Sequence, residues 1–177
     1  MQSKIKKALL LIFSIALLPG LTISKAFAQA NVTAHASAQV ISALTATENA
    51  QLNFGRFSPE TQGGKVILTP QGVRTAQGTV VLGGGTANSA SFTITGEYES
   101  TFSITLPAGP SKLTNTLTAR TMEVTDWISY PAPGIGVGKL TGGAMTVNVG
   151  AVLNVGDMIA NPVGIYAGIY AITFSYN

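Results

Sequence analysis

From Asn31 onward the chain alternates apolar and polar residues with a period of two. Val32, Ala34, Ala36, Ala38 and Val40 are separated by Thr33, His35, Ser37 and Gln39. Phe92 and Ile94 alternate with Thr93 and Thr95, and Phe102, Ile104 and Leu106 with Ser103 and Thr105. The chain ends on Tyr170, Ile172, Phe174 and Tyr176, spaced by Ala171, Thr173 and Ser175. Successive side chains of a strand point to opposite faces, so each run predicts a strand with one apolar and one polar face. Half-buried strands of this kind belong to antiparallel sheets covered on one side.

Turn formers punctuate these runs at short intervals: Pro59, Gly63-Gly64, Pro70 to Gly72, Gly83 to Gly85, Pro107 to Pro110, Pro131 to Gly134, Gly142-Gly143, Gly156-Asp157 and Asn161-Pro162. Short strands with regular turn signals predict an all-β sandwich or barrel. The longest irregular stretch, Pro131–Gly143, is expected to be a surface loop. No helix is expected beyond the first 28 residues.

Those first 28 residues differ in kind. Lys4, Lys6 and Lys7 precede an apolar run from Ala8 to Leu18, Pro19-Gly20 breaks it, and Ala26-Phe27-Ala28 follows. A basic start, a short apolar centre and a small-x-small end predict a secretory signal peptide, cleaved after Ala28 or Ala30. The run is shorter than the roughly 20 residues of a membrane-spanning helix, and no cysteine is present to carry a lipid. One domain, residues 29–177, is therefore expected to be exported without an anchor.

The leader changes the charge picture. The whole chain has 10 basic and 7 acidic residues, net +3. Four of the lysines lie in the leader, which leaves six basic against seven acidic residues, a net of −1. A nucleic-acid partner, which needs a basic face, loses its support. The absence of cysteine excludes a disulfide framework and thiolate catalysis, and the single histidine, His35, is expected on a polar strand face.

The remaining chemistry is sparse. Gly134-Ile135-Gly136-Val137-Gly138-Lys139 superficially resembles a phosphate loop. Pro133 and Leu140 stand where that motif needs glycine and a hydroxyl residue, so a flexible turn is expected. Glu97, Glu99, Asp126 and Asp157 have no organising motif, and solvated edge charges are the expectation for the first two. No catalytic, cofactor or metal residue is assigned, and the chain is not expected to be an enzyme. Trp127 with Tyr130 is the candidate ligand platform, for a glycan or protein ligand bound by a monomeric secreted module.

Several segments occur together in an order that resembles one family. They are Leu52-Asn53-Phe54-Gly55, Gly72-Val73-Arg74, Leu82 to Gly85, Phe92 to Gly96, Phe102 to Pro107, Val147 to Ala151, Leu153 to Gly156 and Gly164 to Asn177. Together they are similar to the secreted bacterial domain-of-unknown-function family 4402, over residues 31–177 or so. That family resembles chaperone–usher fimbrial subunits, which implies an immunoglobulin-like antiparallel β-sandwich. It also implies a surface protein of pilus or adhesion type, assembled by strand addition. Tyr170, Ile172, Phe174 and Tyr176 would then form the C-terminal assembly strand that a periplasmic chaperone and an outer-membrane usher engage. Val32, Ala34, Ala36, Ala38 and Val40 would form a donor strand for another copy or a related subunit. The same residues also suit an ordinary first strand paired within its own domain, the expectation carried forward here.

Overall fold

The computed structural model describes residues 28–177. The leader expected over residues 1–28 therefore lies, apart from its last residue, outside the described part. Eleven strands follow: β1 Thr45–Ala50, β2 Phe57–Leu68, β3 Arg74–Leu82, β4 Ala90–Thr95, β5 Thr101–Thr105, β6 Ser111–Asn115, β7 Thr121–Tyr130, β8 Gly134–Lys139, β9 Ala144–Val155, β10 Tyr166–Ala167 and β11 Thr173–Tyr176. Among the described residues the only helical turn is a 3-10 turn at Thr141–Gly143. Every strand pairing is antiparallel. The fold is the all-β sandwich that the alternation predicts.

The larger sheet runs β1-β4-β9-β7-β6-β10, with the β2–β3 hairpin joined to β9. The smaller sheet runs β11-β5-β8. Strand β9 organises the larger sheet. Its residues Ala144–Val149 pair with β4, and Ala151–Val155 pair with β2 along the same edge. Its other edge pairs with β7. Side chains at odd positions of β9 share one face, and Val147, Val149, Ala151, Leu153 and Val155 are all buried. The first two join Ala90, Ile94, Phe102, Ile104 and Leu140 in the core between the two sheets. The last three join Phe54, Val66, Leu68, Val80, Met122 and Val124 in a second core, where the larger sheet curls over itself. Leu52 and Trp127 touch both cores.

Two sequence expectations are corrected. Gly134–Lys139 is neither a flexible turn nor part of a loop but strand β8, paired with β5. The reason is steric. A Cβ on Gly138 would fall inside the Phe102 ring, so glycine lets β8 lie flat on a fully buried aromatic. Gly136, at φ +67°, sits within the stretch where the β5–β8 register shifts. The second correction concerns residues 31–40, expected as a first strand paired in its own domain. Residues 28–44 form no strand, and all but Leu44 are exposed. Alanine side chains bury little apolar area, so alternation alone supplies little drive to pair. The chain divides at this point, and residues 40–177 form one compact unit.

Candidate functional site

Both sheets end on the same flank. Strand β1 closes the larger sheet and pairs only with β4, while β11 closes the smaller sheet and pairs only with β5. Between them lies a groove of 270 Å³ lined by Leu44, Thr45, Ala46, Ile172, Thr173 and Phe174. Its apolar members, Leu44, Ile172 and Phe174, rest on the inter-sheet core. The Phe174 ring lies 5.9 Å from Phe92 and 6.1 Å from Phe102, tilted and edge-on respectively. The alternation of the C-terminal residues is kept. Tyr170, Ile172, Phe174 and Tyr176 are half-buried and the residues between them exposed, although the hydrogen-bonded ladder begins only at Thr173. An unpaired strand edge offers free N–H and C=O groups to another strand.

One end of the groove carries a closed set of hydrogen bonds. The Tyr176 hydroxyl donates to Ser42 O at 3.0 Å and accepts from the Glu97 amide at 2.6 Å. The Ser42 amide in turn donates to Glu97 Oε2 at 2.9 Å. That bond to the Ser42 amide holds the Glu97 carboxyl below the usual carboxylate range. Gly96 makes room for the phenol, because a Cβ there would collide with Tyr176 Oη.

The other chemistry-bearing residues serve the fold. Trp127 is half-buried with its ring centroid 4.6 Å from that of Tyr170. Tyr130 is 64% exposed at the end of β7, and the ring stacked near Trp127 is that of Tyr170. Glu99 pairs with Lys139 at 2.6 Å, linking the β4–β5 turn to β8. Glu97 and Glu99 thus turn to different partners. Asp157 Oδ1 accepts from the amides of Ile159 and Ala160 at 3.0 and 2.7 Å. Asp126 sits in the β7 register shift with φ +48°. Among the described residues no group of three His, Cys, Asp or Glu side chains is placed to hold a metal. His35 is exposed within the strandless segment.

Trp127 Nε1 and Tyr170 Oη are buried atoms without a hydrogen-bond partner. An unpaired buried hydroxyl destabilises by about 1 kcal/mol or more, so Tyr170→Phe is expected to raise stability by about 1 kcal/mol. Burial, with the Glu48 carboxylate adding to it, pushes the Tyr170 hydroxyl from 10.0 up to about 12. The unfolded chain therefore loses this proton first, and stability falls as pH rises from about 10 to about 12. Thermal melts across that window should decline more steeply for the wild type than for Tyr170→Phe, in which the other four tyrosines remain. Parallel declines would count against the burial effect.

Sequence reasoning left Arg74 without a role. Its Nη1 donates to Phe54 O at 2.9 Å and Arg56 O at 3.3 Å, and its Nη2 donates to Gly83 O at 2.8 Å. Three of the quoted segments, Leu52 to Gly55, Gly72 to Arg74 and Leu82 to Gly85, thus meet at one guanidinium. The available signal was an arginine in a charge-poor chain, next to glycine-rich segments whose carbonyls need donors.

The fold and its flank define a class: an antiparallel β-sandwich whose two sheets both stop at one open side. The chain belongs to the family described as Domain of unknown function (DUF4402), which matches residues 44–176. The matched span runs from Leu44 of the groove to Tyr176. No curated protein and no solved structure matches the chain.

Proposed function

We propose that the protein is an exported structural subunit of fimbrial or pilus type, which assembles at the cell surface by β-strand addition. The single observation that carries this reading is the groove between β1 and β11. Two unpaired strand edges flank a mixed groove there, in which Leu44, Ile172 and Phe174 rest on the core beside Thr45 and Thr173, and no strand of the described chain lies between them. The segment Val32, Ala34, Ala36, Ala38 and Val40 supplies the matching element, an alternating run left without a strand partner. Its small side chains suit a shallow groove, and ladder hydrogen bonds supply the affinity. The ending on Tyr170, Ile172, Phe174 and Tyr176 supports engagement by a periplasmic chaperone and an outer-membrane usher. The leader supports export, through the periplasm to the surface or the medium. The role needs no cofactor and no catalysed reaction.

Protein purified after export and run unheated in mild detergent should give a ladder of multimers that heating collapses. Ala36→Asp places a charge at the centre of the apolar face and should abolish the ladder while leaving the melting temperature unchanged. A strictly monomeric wild type would overturn the reading, and so would a ladder that survives Ala36→Asp.

A further inference from the structure

Tyr176 occupies an unusual position, because one hydroxyl joins the edges of two different sheets. Its ring belongs to β11, the last strand of the smaller sheet. Its hydroxyl reaches Ser42, which leads into β1 of the larger sheet, and the amide of Glu97 just past β4. Glu97 closes the ring by accepting from the Ser42 amide. The bonds use both backbone groups of Ser42, near the N-terminal end of the compact unit that begins at Val40. Two residues further on, Leu44 begins the groove lining. Strand β1 itself is exposed along nearly its whole length and has no other tie to β11 among the described side-chain hydrogen bonds.

We infer that Tyr176, with Glu97 and Ser42, is a releasable clasp that holds the β1–β11 groove closed at one end and limits the rate at which a strand enters it. The inference rests on the strand-addition reading and adds its regulation. A strand laid along β1 needs the backbone groups at that edge, and Ser42 offers none while the clasp is made. Opening requires the phenol hydroxyl to leave two partners and the Ser42 amide to leave the Glu97 carboxylate, all of them near the surface. The ring remains on the core, so release does not expose apolar surface. Gly96 is part of the device, since any Cβ there would push the hydroxyl off its partners.

Tyr176→Phe keeps the ring and removes both of its hydrogen bonds. Two measurements on the purified full chain separate the clasp from the reading beneath it. The first is amide hydrogen exchange. The Glu97 amide, which loses its acceptor, and the amides of residues 44–46 should exchange about tenfold faster in the variant, while β5 and β9 stay unchanged. Gly96→Ala should give the same local acceleration. The second is uptake of a labelled synthetic peptide of residues 31–40 at saturating concentration, followed by fluorescence anisotropy, where the variant should bind roughly tenfold faster and reach the same final occupancy. Equal exchange in wild type and Tyr176→Phe overturns the clasp, and so does faster exchange with an unchanged uptake rate. Faster exchange with no uptake by either protein overturns the strand-addition reading and leaves the clasp as a lock on β1.

Discussion

Gly150→Val is expected to leave no folded protein at room temperature, and Gly150→Ala to cost about 3 kcal/mol. Gly150 lies at the one point on β9 where its neighbour changes from β4 to β2. The chain leaving β2 passes directly over it. A Cβ at Gly150 would meet Leu68 O well inside contact distance, with the Thr69 carbonyl carbon at 2.7 Å and Pro70 N at 2.8 Å. These are backbone atoms, fixed by the β2 ladder and by the bond from Ser89 Oγ to Pro70 O at 3.0 Å, so no rotamer change relieves the clash. The strain falls between Val149 of one core and Ala151 of the other, which makes it a fault in both. A penalty of about 3 kcal/mol lowers the melting temperature by about 10 °C in a chain of this size. Gly109→Ala is the control, since nothing lies within 4 Å of its added Cβ and the melt should be unchanged. If Gly150→Ala melts with Gly109→Ala, the crossing is looser than described here.

How far the sequence reveals this structure depends on whether a feature is local. Strands β4 and β5 were legible because Ala90, Phe92 and Ile94, like Phe102 and Ile104, are buried or half-buried at alternate positions with polar residues between them. Strand β2 was obscured by Pro59 and Gly63-Gly64, which read as breakers. They are tolerated because the β2–β3 register slips between Pro59 and Gly64. Pro59 also lies before the β9 pairing starts, so its missing N–H costs no ladder bond on that side. Strand β8 was hidden because its glycines serve contact with Phe102 rather than flexibility. Two apolar members of the groove, Ile172 and Phe174, were visible as the C-terminal alternation. The groove itself was not, because an open edge is defined by which distant strands fail to pair. The Ser42–Glu97–Tyr176 bonds span up to 134 positions of sequence, and no periodicity encodes them.

Arg74→Ala is expected to destabilise by about 3 kcal/mol, with Arg74→Lys recovering less than half of the loss. The guanidinium is half-buried, and the one ion pair among the described residues joins Lys139 to Glu99, so carbonyl dipoles alone compensate its charge. Two of its nitrogens are shared among Phe54 O, Arg56 O and Gly83 O. They thereby tie the approach to β2 to the end of β3 and seat Phe54 over the second core. A hydrogen bond to a charged donor contributes about 1.5–3 kcal/mol, and removing the donor also leaves half-buried carbonyls short of a partner. Lysine brings one compact charge where a planar fork spans two directions, so it satisfies one carbonyl group and abandons the opposite side. Gly55 is committed to this arrangement, because a Cβ on it would displace Arg74 Nη1. Urea unfolding should show a lower midpoint for Arg74→Ala with an unchanged slope, as expected when stability changes without a change in the surface exposed. The loss should appear first as faster amide exchange at residues 53–57 and 82–84, while the β1–β11 flank stays protected. Uniform acceleration over both sheets, or full rescue by lysine, would mean that charge rather than the three-carbonyl fork is what the fold requires at this position.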